Sequence, residues 1–283
     1  MAVFAGQGDA RRSMALLWRT GGSKRVRTAP GPKPGLSVDV IVDAAIAAAD
    51  AEGMGALSMR AVGERLGRTA MALYTYVPTK SELVDLMYDR ALAELPTDYE
   101  HGAGWRAAVT AWAEDLRVFY LRHPWMLQVS RARPVLGPNE FAVLETLVRI
   151  LHETGLGARV LRGIVGMLVH FVRGAAQTIA ESRQAATATG VSDEEWWFSR
   201  SPLLEALAPE FAARFPMVTL IESDSTPQPG DDTAPYLKQE PYLKQEPYLE
   251  QEPYLEQEAK QNFEIGLTVL LDGIEVSMTR AGI

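Results

Sequence analysis

Ser58-Met59-Arg60-Ala61-Val62-Gly63-Glu64-Arg65-Leu66-Gly67-Arg68-Thr69-Ala70-Met71-Ala72-Leu73-Tyr74-Thr75-Tyr76 is the stretch on which the fold turns. It reads as two short helices, 58–65 and one starting at Thr69, joined across Gly67 and stopped before Pro78. The first buries Ala61, Val62 and Leu66, and the second buries Leu73. The second helix otherwise shows small or hydrogen-bonding residues. Ala70 and Ala72 permit close approach to a groove, and Thr69, Tyr74, Thr75 and Tyr76 can donate to phosphates or bases. Composition alone leaves two readings open for such a pair: a helix-turn-helix that reads DNA, or an ordinary helical hairpin.

Outward from this stretch the grammar stays helical. Thr79-Lys80-Ser81-Glu82 has the form of a capping box and opens a further helix, with Leu83, Leu86, Met87, Ala91 and Leu95 on one face and Pro96 as its stop. Upstream, Val38, Ile41, Val42, Ala45, Ile46 and Ala49 recur at helical spacing between a Ser37 cap and Gly53. Downstream, helices are expected near 103–122, 124–131, 138–154, 157–186, 202–214 and 259–279, with no convincing alternating strand. The last of these carries two apolar stripes. Phe263, Leu267, Leu270, Ile274 and Met278 form one, and Ile265, Val269 and Val276 the other, so it packs on two sides.

Two segments stand apart by charge. Residues 1–37 hold seven basic residues and one acid, and the Gly21-Gly22 and Pro30–Gly35 runs read as a flexible basic arm over 1–36. Residues 222–258 hold ten acids and two bases, enough to match the whole chain's net charge of −8. Within them a Pro-Tyr-Leu-Lys/Glu-Gln-Glu unit is repeated four times over 235–258, which reads as an acidic, mobile, dispensable insertion of low complexity. Net charge is therefore a poor guide to the partner of any one domain.

Several function classes are excluded or disfavoured. The chain has no Cys, which removes disulfide scaffolds, thiol nucleophiles and thiolate metal sites. The strongest apolar stretch, 163–172, falls short of the roughly 18–20 residues that span a bilayer, and Arg162 and Arg173 bracket it. The patch from Met14 to Trp18 is too short for a secretory segment, so a cytoplasmic location with no membrane partner is expected. His101, His123, His152 and His170 show no i, i+4 pairing, so no metal site is expected. Gly155-Leu156-Gly157 lacks a preceding strand and reads as a helix junction, not a dinucleotide loop. Without a nucleophile motif, no catalytic residue, enzymatic activity or cofactor is expected.

Leu57-Ser58-Met59-Arg60, Leu66-Gly67 and Leu73-Tyr74-Thr75-Tyr76-Val77-Pro78-Thr79-Lys80-Ser81-Glu82-Leu83 resemble the N-terminal domain of the tetracycline-repressor (TetR) family of bacterial regulators. Arg122-His123-Pro124-Trp125, Leu136-Gly137-Pro138-Asn139 and the run Phe263–Ile274 resemble that family's ligand-binding half. The resemblance implies an all-α fold: a helix-turn-helix DNA-binding domain over 37–96, and a helical ligand-binding domain over 97–221 completed by a dimerisation helix at 259–283. It implies that Arg60 contacts phosphate or groove, that Thr69, Ala70, Met71, Ala72 and Thr75 face bases, and that Tyr74, Tyr76 and Lys80 hold the DNA backbone. Position 68 departs from the family's small apolar residue: Arg68 either turns toward DNA or lays its stem along the surface.

A ligand-responsive repressor follows as the leading expectation. It binds double-stranded operator DNA as a homodimer through the 157–186 and 259–279 helices, with Leu270 and Ile274 in the seam, and a small apolar or aromatic effector releases it. For the effector site, the density of aromatic, Met and His residues beside a few polar groups singles out Trp112, Phe119, Trp125, Met126, His170, Arg173 and Gln177. The alternative is a helical small-molecule-binding or interaction protein without operator recognition.

Overall fold

Hydroxyl and carboxylate caps set where the first helices begin, in a computed structural model that describes residues 3–19, 35–100, 102–130, 132–224 and 254–283. Asp9 accepts from the Arg12 amide and starts α1, Ala10–Leu17; Ser37 accepts from Val40 and starts α2, Val38–Glu52. Ser58 starts α3, Met59–Leu66, Thr69 starts α4, Ala70–Tyr74, and Thr79 starts α5, Lys80–Leu92. There follow α6, Gly104–Arg122, a 3-10 turn at Pro124–Gln128, α7, Pro138–His152, and the long α8, Ala158–Thr189. The chain closes with α9, Asp193–Leu207, α10, Phe211–Arg214, α11, Pro216–Asp224, and α12, Tyr254–Ala281. The all-α expectation holds apart from one small feature, β1, Val3–Phe4, paired in parallel with β2, Val129–Ser130.

Contacts divide the chain into a unit of residues 1–180 and 261–283 and a second unit of residues 181–260. In the first, α5 is buried on nearly every side, from Glu82 to Asp89 and on to Leu92. Leu83, Val84 and Met87 pack among Ile41, Val42 and Ala45 of α2, while Trp112, Leu116 and Tyr120 of α6 and Leu147 and Leu151 of α7 extend the same core. In the second unit, Ser192 and Glu195 form a reciprocal capping box on α9, and Arg200 lies 4.4 Å from the Trp196 ring centre.

Several expectations change. Residues 3–19 are not part of a flexible arm: α1 packs on α5, with Ala5, Ser13 and Leu17 buried. The Gly6 amide donates to Asp85, Arg12 pairs with Glu82 at 2.5 Å, and Arg19 pairs with Asp39. The Gly- and Pro-rich remainder, 20–34, lies outside the described residues. The helix expected at 124–131 is a 3-10 turn followed by β2, and α9 begins at Asp193 and runs through Pro202 instead of starting there. An exposed helix tolerates that proline because water can take up the freed carbonyl. The acidic tract expected at 222–258 is trimmed at both ends, since α11 reaches Asp224 and α12 starts at Tyr254; most of the repeats lie outside the described residues. Finally, α8 is long and apolar enough by length and composition to cross a membrane, although Leu161, Ile164, Leu168, Val172 and Ala176 of it are buried in this core.

Candidate nucleic-acid interface and effector cavity

The turn between α3 and α4 is built on Gly67, whose φ of 64° lies in the left-handed region. Its amide donates to the Glu64 carbonyl at 3.1 Å and the Arg68 amide to the Gly63 carbonyl at 2.8 Å, closing the end of α3 before α4 departs. Val62 and Leu73 are fully buried and anchor the two helices to the core. The remaining face is open. Arg60, Arg68, Thr69, Met71, Tyr74, Thr75, Tyr76 and Lys80 are exposed, and Ala70 and Ala72 are half-buried. Met71, at 75% exposure, is the most prominent apolar side chain on α4.

Local bonds orient parts of this face. Arg60 Nε sits 2.8 Å from Glu64 on the same helix, the Thr69 hydroxyl caps α4, and Lys80 Nζ donates to the Leu57 carbonyl at 2.6 Å. That last bond holds an ammonium group beside the start of α3. The Thr75 hydroxyl donates to the Met71 carbonyl at 3.4 Å, a weak bond that a base or phosphate could replace. Of the nine candidate DNA-contacting positions, seven are exposed and Ala70 and Ala72 are half-buried, and Arg68 is exposed beside them.

Three carboxylates are buried on α5. Glu82, Asp85 and Asp89 are each at most 4% exposed. Glu82 takes Arg12 and the Thr79 hydroxyl. Asp89 caps α7, accepting from the Asn139 amide at 2.9 Å, the Glu140 amide at 3.0 Å and the Asn139 side-chain nitrogen at 2.9 Å. Burial pushes the Asp85 and Asp89 carboxyls above their ordinary range, against the lowering effect of these donors. A second polar cluster joins α2 to the end of α6: the buried His123 ring lies 2.7 Å from Asp50 and 3.1 Å from Glu94, and Trp125 Nε1 donates to the same Asp50 oxygen at 2.8 Å. Burial works to raise the Glu94 carboxyl, but bonds from His123 and Arg122 outweigh it and hold it below its usual value.

Between α5, α6, α7 and α8 lies a cavity of about 260 Å³. Tyr88, Leu92, Trp112, Leu116, Tyr120, Leu147 and Val169 line its depth, and Leu136, Phe141 and Leu144 form its rim. The rim contains a strained residue: Leu136 has φ 63°, a conformation that costs a side chain about 1–3 kcal/mol. Two bonds hold it there. Its amide donates to Glu140 at 2.8 Å, and its carbonyl accepts from the Trp18 indole N–H at 2.8 Å.

Of the seven residues singled out for an effector, only Trp112 lines this cavity. Phe119 is buried against Tyr120 and His123, and Trp125 and Met126 are fully buried in the core. Arg173 is occupied in holding the 3-10 turn, donating to the carbonyls of Met126, Leu127 and Val129. His170 and Gln177 are exposed on α8. Aromatic density marks a packed interior, and only the tertiary arrangement separates wall from filling. In the same way Leu270 is half-buried and Ile274 is 2% exposed in the protomer's own core, so neither forms a free seam; the stripe left open on α12 is Ile265, Val269 and Val276.

Comparison with known proteins accords with this architecture. Residues 41–87 match the family described as bacterial regulatory proteins, tetR family, and residues 96–278 match the tetracyclin repressor-like C-terminal domain. The chain is 40% identical over 223 residues to the HTH-type transcriptional repressor DrrR1 of Streptomyces coeruleorubidus, covering 78% of this chain and 80% of the relative. It is 38% identical over 125 residues to an HTH-type transcriptional regulator of Saccharopolyspora erythraea, covering 44% of this chain and 53% of that protein. Among solved structures, the TetR family protein ActR of Streptomyces coelicolor in complex with actinorhodin shares the fold with a TM-score of 0.63 at 23% identity, covering 87% of this chain and 99% of ActR. With the helix-turn-helix exposed on one face and a helical domain completed by the last helix of the chain, this protein belongs to the TetR family of bacterial transcriptional regulators.

Proposed function

We propose that the chain is a repressor that binds operator DNA as a homodimer and is released when an apolar, aromatic small molecule enters the cavity beside α5. The observation that carries this is the exposure of Arg60, Thr69, Met71, Tyr74, Thr75, Tyr76 and Lys80 along α3, α4 and the start of α5, while Val62 and Leu73 anchor the first two helices in the core. Arg60, Arg68, Tyr74, Tyr76 and Lys80 are the phosphate-facing groups, and Thr69, Ala70, Met71, Ala72 and Thr75 the base-facing ones. Residues 37–96 act as the DNA-reading half, and 97–221 with 259–283 as the effector-binding and dimerising half. The partners are operator DNA, the effector and a second copy of the chain, in the cytoplasm, with no catalytic role.

The similarity to a named repressor supports repression, and the ActR complex with actinorhodin supports a small-molecule effector. The free apolar stripe on α12, together with the exposed Val160 and Met167 of α8, supports dimerisation through these two helices. The test is a gel shift with DNA flanking the protein's own coding region. A specific, salt-sensitive complex on a near-palindrome, with half-sites about 34–36 Å apart, is expected. Absence of any sequence-specific complex across such fragments would leave the chain a helical binding protein.

A further inference from the structure

The segment before α2 lies outside both family matches, which begin at residues 41 and 96, yet it touches both halves of the fold. β1 pairs with β2, next to the 3-10 turn. Gly6 and Arg12 bond to Asp85 and Glu82 on α5, and Arg19 pairs with Asp39 on α2. At its end Trp18 reaches the cavity rim. Its ring centre is 6.1 Å from that of Phe141, and its indole N–H holds the Leu136 carbonyl.

The volume of the cavity makes this contact consequential. At about 260 Å³ it sits at the low end of the roughly 300–1,000 Å³ common for drug-sized ligands, so a bulky effector fills it and bears on its rim. The inner wall cannot yield cheaply. Trp112, Leu116, Tyr120 and Leu147 are each at most 3% exposed and belong to close-packed helices. The rim can: Leu136, Phe141 and Leu144 are 42%, 45% and 42% exposed, and Leu136 is already held in a disfavoured backbone conformation. Trp18 is the external brace on that rim, itself half exposed and therefore free to swing into solvent.

We propose that residues 3–19 form a strap over the effector cavity, with Trp18 as its latch, and that a bulky apolar effector opens the rim by displacing Trp18 and loosening the strap from α5 and α2. This rests on the cavity being the effector site. It adds the element that reports occupancy to the DNA-binding half. Both the latch and its anchors, Asp85, Glu82 and Asp39, are then parts of one device: the strap holds α5 and α2 only while the rim is shut.

The test uses the full chain and the neutral fluorophore N-phenyl-1-naphthylamine as the probe. Hydrogen exchange of residues 3–19 is followed with and without the probe, and probe affinity is measured in the parent, Trp18→Ala, Trp18→Phe and the cavity-filling Val169→Phe. Val169→Phe should abolish binding. Saturating probe should speed exchange across 3–19 by about tenfold or more while α3 stays protected. Trp18→Ala should bind the probe about 3–10-fold tighter, since the rim is no longer held, and Trp18→Phe, which keeps the ring but loses the N–H, should fall between. If Val169→Phe abolishes binding but the probe leaves exchange of 3–19 unchanged and Trp18→Ala binds like the parent, the strap is overturned while the cavity reading stands. Binding indifferent to Val169→Phe, or no binding at all, removes the cavity and the strap together.

Discussion

Gly137 and Asp89 offer a strict test of how the rim of the cavity is tied to α5. Gly137 has φ −85° and ψ 161°, an extended conformation open to any residue, so nothing in its backbone demands glycine. Space demands it. A Cβ there would lie 2.1 Å from Asp89 Oδ1 and 2.2 Å from its Cγ, far inside contact distance. Asp89 cannot retreat without giving up its three bonds to Asn139 and Glu140, two of which satisfy the first amides of α7. Losing a helix cap costs about 0.5–2 kcal/mol, and a bond to a charged acceptor about 1.5–3 kcal/mol. Part of this is returned when a buried carboxylate is removed, so Asp89→Ala should cost about 2–4 kcal/mol. Gly137→Ala should cost a similar amount, because it breaks the same bonds by expelling the side chain. The double variant has no carboxylate to expel. Its cost should therefore match Asp89→Ala alone, a coupling of about 2 kcal/mol or more. Thermal unfolding at fixed protein concentration reads this as a fall of roughly 5–15 °C for each single variant and no further fall for the double. Additive losses would show that Gly137 and Asp89 act separately and that α5 does not hold the rim in this way.

Lys80→Ala should weaken binding to all DNA sequences and lower the salt slope by about one, while Thr75→Ala should shift sequence preference; competition gel shifts at several salt concentrations distinguish the two, and parental binding by both would remove them from the interface. Val269→Glu with Val276→Glu places two charges on the exposed stripe of α12, and light scattering should report folded monomers, whereas a retained dimer would put the seam elsewhere. For Asp85, burial raises the folded-state carboxyl above its unfolded value, so its contribution to stability is full below about pH 4 and is lost as the pH rises through the folded value. Asp85→Asn keeps an oxygen for the Gly6 amide and removes that loss, so it should be more stable than the parent at pH 7 and converge on it near pH 3; a difference that does not change with pH in thermal melts would contradict this.

Where the chain speaks in short-range terms it was legible. Ser37, Ser58, Thr69 and Thr79 each cap the helix they introduce, and Gly67 makes the turn, because caps and turns depend on neighbours a few residues away. The two short helices that carry the proposed DNA-facing residues followed from the same signals, while the roles of those residues rest on the family resemblance. Hidden from the sequence were features that exist only across the fold. Glu82, Asp85 and Asp89 are acids, a residue type seldom buried, and their partners come from residues 3–19 and the start of α7, far away in the chain. The N-terminal segment shows its own signals, an Asp9 cap and the apolar patch Met14 to Trp18, but these lack meaning without the α5 surface they meet. Cavity-lining residues were the least legible, since the sequence marks Trp125, Met126 and Phe119 as strongly as Trp112 although only the last faces the cavity.

The recognition helix α4 is joined to α5 by only Val77, Pro78 and Thr79 beyond the Thr75–Tyr76 end of the turn, and α5 is a helix of 13 residues. At 1.5 Å per residue the helix is about 20 Å long. Pivoting it by about 5° at its cavity end, near Tyr88 and Leu92, swings the far end through roughly 1.7 Å. Two protomers related by a twofold axis double that to about 3.4 Å, which is one base-pair step of duplex DNA. A displacement of about half a base-pair step at each subunit therefore changes the spacing of a pair of reading heads by about one full step. The buried acids along α5 matter in this light as clamps on a lever, fixing its angle about the cavity end.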